Sequence, residues 1–218
     1  MRKVVAAVVM AGGIAALTPT IALGHDLAAD LVVRVYDAYG VGGSQMTIAR
    51  ETFRAILEPA GIAADWRNCG AVAARASSSP SCEHSLELRE VVVRLVASGQ
   101  SSPSRVLGFS SVGIQQGVGS LATVLVDRVE VMADRTQSEA GKLLGRVVAH
   151  EVGHLLLGTA AHSATGLMRA HWNDEEARRD HPMDWLLSWA DARQVRQALI
   201  DRPKRLESPV LRVAQSAR

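Results

Sequence analysis

Apolar residues along this chain fall into short β-branched runs separated by stretches of helical spacing. Leu31 to Tyr36 (Leu-Val-Val-Arg-Val-Tyr) reads as a strand. Gly40, Gly42 and Gly43 break it. From Ser44 to about Glu58, the residues Met46, Ile48, Ala49, Phe53, Ile56 and Leu57 recur near helical spacing, and Pro59-Ala60-Gly61 ends the helix. Ala63 to Arg67 reads as a short second strand, and the small polar residues 70–81 as a surface loop. Within Leu86–Val96, the run Val91 to Val96 is a third strand. Val106 to Ile114 reads as a strand or an irregular segment, and Gly117-Val118-Gly119-Ser120 as a turn. Leu121 to Met132, with Val124, Val126, Val129 and Val131 among polar neighbours, reads as one further strand, with or without a bulge.

Thr136-Gln137-Ser138-Glu139 fits a capping box with Thr136 as N-cap, so a helix is expected from about Gln137 to Leu157. Its apolar face is Leu144, Val147, Val148, Val152 and Leu155, and Gly158 is placed to end it in the left-handed conformation. Gly141 and Gly145 each cost a helix about 1 kcal/mol relative to alanine, which is either tolerated or reflects close packing. Irregular chain follows to about Pro182. Met183 to Ile200 contains a last helix, with Trp185, Leu186, Trp189, Val195 and Leu199 as its expected core residues. The order β-α-β-β-β-α with a helical C-terminal part is that of an α+β domain.

The ends of the chain read differently. Residues 1–24 have the form of a secretory leader: Arg2 and Lys3, an apolar run from Val4 to Leu23, then the small-residue exit Ala22-Leu23-Gly24. The competing reading is an uncleaved anchor. No cysteine lies near the cut and no Arg-Arg pair precedes the run, which favours the general secretory route. Residues 25–201 are then the domain, and 202–218 a polar, basic, loose tail. The formal charge is +2, but losing Arg2 and Lys3 with the leader leaves 22 basic against 22 acidic residues. A balanced mature chain gives no reason to expect a nucleic-acid partner. The two cysteines, Cys69 and Cys82, are expected to form a disulfide in an exported protein, the alternative being two free thiols.

The chemistry concentrates in residues 150–162, His-Glu-Val-Gly-His-Leu-Leu-Leu-Gly-Thr-Ala-Ala-His. Two histidines four apart on a helix point the same way, so His150 and His154 can grip one metal ion. A catalytic zinc site takes three protein ligands and a water whose pKa falls to about 7. Glu151, next to the first ligand, is then the general base. His162 is the first candidate for the third ligand, reached if the chain turns at Gly158.

The segment resembles the metzincin clan of zinc peptidases, with the signature H-E-x-x-H-x-x-G-x-x-H and a following methionine turn. His150, Glu151, His154, Gly158, His162 and Met168 match in type and order. Three residues, not two, separate His154 from Gly158 and Gly158 from His162. The resemblance implies a twisted mixed sheet with a zinc-binding active-site helix, a small mostly helical C-terminal part, Met168 as an apolar floor, and an edge strand that pairs with substrate. Leu121 to Val126 is the expected edge. An alternative third ligand is a carboxylate, as in thermolysin-like peptidases, and Asp174, Glu175 and Glu176 lie in range, with Glu175 the candidate. The plainer reading of these three is an acidic helix start. His171 is a candidate oxyanion donor, against a surface histidine, and Trp172 a candidate pocket residue, against simple packing.

The expected function is an exported, zinc-dependent metallopeptidase acting on polypeptides, with no stable membrane association once the leader is removed. Two competitors remain. One is a metal-binding protein of the same fold that hydrolyses nothing. The other is a copper site at His25, if cleavage after Gly24 makes it the N-terminal residue.

Overall fold

The computed structural model describes residues 29–70, 82–99, 105–113 and 118–206. The leader, His25, residues 71–81 of the proposed loop and residues 207–218 of the proposed tail lie outside them. Five strands form one sheet: β1 (Ala29–Asp37), β2 (Ile62–Asn68), β3 (Glu90–Val96), β4 (Gly108–Gly113) and β5 (Val118–Leu125). The strand order is β2-β1-β3-β5-β4. Only β4 runs antiparallel, with a register irregularity between Ser111 and Val112. The helices are α1 (Gly43–Leu57), α2 (Val126–Thr136), α3 (Ala140–Leu157), α4 (Asp174–Arg179) and α5 (Trp189–Leu206). Among the described residues no helix is long and apolar enough to cross a membrane.

The core explains the layout. Leu31, Val33 and Val35 of β1, Val91, Val93 and Leu95 of β3, and Ala122 and Val124 of β5 send alternate side chains into it. Helix α3 crosses beneath and is buried almost all round, so it is apolar on most sides, Arg146 and Lys142 on its flank pairing with Asp180. It packs on α1 through Gly141 and Gly145. A Cβ on Gly141 would lie 2.7 Å from the Gln45 carbonyl oxygen, and one on Gly145 would overlap that of Ala49. Of the two readings of these glycines, close packing is the observed one.

Four sequence expectations are corrected. The stretch Leu121–Met132 is not one strand: β5 ends at Leu125 and α2 begins at Val126. Val126, Val129, Met132, Ala133 and Thr136 are buried at helical spacing, whereas Val131 is 64% exposed. Gly117–Ser120 is not wholly a turn, since Val118 to Ser120 open β5. Thr136 is not the N-cap of α3. It ends α2, Gln137 turns the chain at φ 53°, and Glu139 caps α3 by accepting from the Gly141 and Lys142 backbone N–H groups. Finally, β5 lies between β3 and β4, so the edge on this side is β4.

The C-terminal part is helical but arranged otherwise than expected. Trp185, Val195 and Leu199 are buried, Leu186 is half-buried, and Trp189 is 75% exposed with Arg193 stacked on its ring. Helix α5 continues past 201, and Arg202 is buried. Its guanidinium donates to the carbonyl oxygens of Leu88, Glu90 and Gly119.

Cys69 and Cys82 are joined as a disulfide. The chain from Cys82 onward meets a buried ion pair of Arg34 with Glu90. Arg34 also donates to the carbonyl oxygens of His84 and Ser85, and Tyr36 to that of Cys82. The bridge spans 13 residues. Reduction is expected to cost about 3 kcal/mol in the chain-entropy picture. The check is the urea midpoint with and without reductant, and an unchanged midpoint refutes it.

Candidate metal centre

Helix α3 presents His150 and His154 one turn apart, and both are buried. Gly158 ends the helix at φ 67°, its N–H on the His154 carbonyl oxygen, as expected. The chain then turns through Thr159–Ala161 and brings His162 back beside the pair. One ring nitrogen from each of the three histidines lies within 4.8 Å of the others, with the His162 side exposed. The longer spacing is absorbed by this short loop.

The ring orientations are informative. His150 Nδ1 lies 2.9 Å from the Leu167 carbonyl oxygen, and His154 Nδ1 2.9 Å from that of Thr159. A carbonyl only accepts, so both Nδ1 atoms carry the proton. Both Nε2 atoms are then bare lone pairs, and they face each other at 3.1 Å. Two lone pairs at that distance repel unless a positive centre lies between them. Zinc–nitrogen bonds of about 2.0–2.1 Å in a tetrahedral site separate two nitrogens by about 3.3 Å. The donor set therefore fits a divalent metal with nitrogen ligands.

Glu151 lies next to this centre and is buried. Ser110 of β4 donates to its Oε2 at 2.7 Å, and to its backbone carbonyl oxygen at 2.8 Å. Gly108, two residues earlier on the same strand, leaves the room: a Cβ there would lie 2.9 Å from Glu151 Cγ. Neither residue is legible as part of a site from sequence, because a serine and a glycine in an unremarkable strand carry no motif.

Met168 is fully buried, and a Cβ on Gly153 would lie 2.5 Å from its sulfur. The glycine inside the motif is thus what lets the methionine seat against the helix. Trp172 meets His150 edge to face at 5.4 Å, and Trp185 lies behind Trp172 at 5.2 Å. Trp172 also donates from Nε1 to the Leu167 carbonyl oxygen, the one that holds His150. It packs as a wall behind the first histidine. His171 is exposed; burial first, and then the neighbouring His171, hold the His162 imidazole below its usual range. Glu175 is not in the histidine cluster. It is exposed on α4, a helix capped by Asn173 and Glu176.

Burial drives the two central titrations in opposite directions. Burial lowers His150 to about 4, with repulsion from His154 and His162 adding and the Leu167 bond opposing. Burial raises Glu151 to about 7, with the Ser110 bond opposing. Unfolded, His150 protonates near 6.5, so its contribution to stability is complete above 6.5 and lost as the pH falls toward 4. Glu151 behaves inversely: its contribution is complete below 4.5 and lost as the pH rises toward 7. Each is on the order of 3 kcal/mol, so in chelator-treated protein they largely offset one another between these limits. Glu151→Gln removes one of them. Its urea midpoint is expected to fall more steeply than wild type between pH 6.5 and 4.5, and parallel slopes would refute this.

No protein-family model matches this chain, and no curated protein matches it. Among solved structures it is similar to archaemetzincin from Methanopyrus kandleri, with a TM-score of 0.53 at 14% identity over 80% of this chain and 98% of that one. The mixed five-stranded sheet with its helices therefore has a metzincin-like, α+β fold.

Proposed function

We propose that the chain is an exported zinc-dependent peptidase, with His150, His154 and His162 as the metal ligands. The observation that carries this is the pair of proton-free Nε2 atoms facing one another beside a third histidine, with a buried carboxylate alongside. Zinc, when bound, supplies a Lewis acid that polarises a carbonyl and acidifies a water. Glu151 takes the proton of the attacking water and returns it to the leaving nitrogen. Ser110 holds one oxygen of Glu151 and leaves the other to do this work. Strand β4, an edge strand carrying Ser110, offers its free side to an extended peptide by strand addition. The disulfide suits an oxidising compartment, in keeping with export.

The test is to measure bound zinc in the purified protein and its cleavage of an unfolded protein substrate, beside His154→Ala. The expected result is about one zinc per chain, cleavage that stops on chelation and returns with zinc, and neither in the variant. Stoichiometric zinc with no cleavage would point instead to a metal-binding protein that hydrolyses nothing. Failure to bind zinc would remove the proposal entirely.

A further inference from the structure

Two of the three histidines have their rings anchored, and the third does not. His150 and His154 each bond a backbone carbonyl through Nδ1. Among the described residues the His162 ring has no such partner, and the residue is exposed. Its ring lies against those of His150 and His154, with centroids 5.4 and 4.8 Å away, and among the described residues has no hydrogen bond to fix its place.

The anchor lies one residue on. The Ser163 backbone N–H donates to the Met168 carbonyl oxygen at 2.8 Å, closing the loop between them. Its hydroxyl donates to Asp191 Oδ1 at 2.6 Å. Asp191 is 7% exposed and lies in the first turn of α5, 28 residues away in the chain. Its other oxygen accepts from the Ser188 hydroxyl at 2.7 Å, and Ser188 accepts in return from the Asp191 backbone N–H at 3.1 Å. Between these bonds the loop makes a left-handed turn at Gly166, φ 72°, and Leu167 donates to the Leu186 carbonyl oxygen at 2.8 Å. Among the described residues, apart from the Leu167 carbonyl that accepts from His150, the polar ties of the 163–168 loop that reach beyond its neighbourhood end on residues 186–191.

We infer that Asp191 is a positioning residue for the metal site, holding His162 against the other two ligands through the Ser163 hydroxyl. The inference rests on the reading of His162 as a ligand. It adds a carboxylate that touches neither metal nor substrate and that belongs to a different element from all three histidines. Outer groups that fix a ligand typically change metal affinity by about 10–100-fold when removed.

Zinc affinity of the full chain is measured by competition with a chromophoric chelator, and the cobalt-substituted protein is examined by visible absorption. Asp191→Ala and Ser163→Ala are each expected to weaken zinc binding by about 10–100-fold. Each is expected to shift the cobalt bands in the same direction. The double variant should lose little more than the worse single one, because the two share one bond. Ser163 is half-buried, so Ser163→Ala tests the bond even if Asp191→Ala folds poorly. Gln197→Ala removes an exposed bond to Asp201 farther along α5 and touches neither Asp191 nor Ser163. It should leave zinc affinity and the cobalt spectrum in place. Wild-type affinity in Ser163→Ala and Asp191→Ala would overturn the inference. So would additive losses in the double variant, or an equal loss of affinity in Gln197→Ala. His162→Ala separates the two levels: if it binds zinc like wild type, the third-ligand reading fails first. If it loses affinity while Ser163→Ala does not, only the positioning role fails.

Discussion

Glu151→Gln should retain zinc and cleave peptides about a thousandfold more slowly, within the 10²–10⁴-fold range of positioned acid–base groups. The substitution is chosen for shape. Glu151 fits between Ser110, which donates to Oε2, and Gly108, where even a Cβ would lie 2.9 Å from Glu151 Cγ. Glutamine keeps that volume, and its amide oxygen still accepts from Ser110. What it loses is the ability to take a proton. None of the three clustered histidines is altered, so metal content should match wild type. The measurement pairs zinc stoichiometry with turnover of a quenched-fluorescent peptide. Full turnover in a zinc-loaded Glu151→Gln protein would show that this carboxylate is not the base.

Gly145→Ala should lower the melting temperature by roughly 5–10 °C. Two effects compete. Alanine favours a helix over glycine by about 1 kcal/mol. Overpacking a tight contact costs about 1–3 kcal/mol or more. Here the new methyl would overlap the Ala49 carbonyl oxygen and lie 2.8 Å from Thr52 Cβ. The obstacle is backbone in α1, which cannot rotate aside as a long side chain would, so the clash wins by about 2–3 kcal/mol. Each kcal/mol moves the midpoint of a domain this size by about 2–4 °C. Gly99→Ala is the control, because nothing lies within 4 Å of its would-be Cβ. A Gly145→Ala melting curve at or above wild type would show that the helices can part at no cost.

The legible parts of this molecule were those written locally. The pair His150 and His154, the stop at Gly158 and the face of α3 all follow from 3.6 residues per turn. Helix α2 was missed because β-branched residues at 124, 126, 129 and 131 imitate a strand. The buried set Val126, Val129, Met132 and Thr136 is helical, and Val131 turns outward. Trp189 was misplaced for a geometric reason: the Ser188–Asp191 cap starts α5 so that Val195 and Leu199 share the inner face, and a residue six before Val195 points away. The edge strand was misassigned because strand order depends on pairings between distant segments. Ser110 and Asp191 were invisible for the same reason, since their partners lie 41 and 28 residues off.

Arg202 bears on the order in which the molecule can be built. Its guanidinium satisfies carbonyls of Leu88, Glu90 and Gly119, the last two of which belong to β3 and β5. A chain released from its N-terminus exposes those carbonyls, and the loop after His162, until α5 arrives. The loop after His162 is therefore braced only once α5 has been made as well as the motif. A fragment that holds the complete motif at 150–162 but stops short of α5 still lacks the helix that braces it, so the brace is the last part of the centre to arrive.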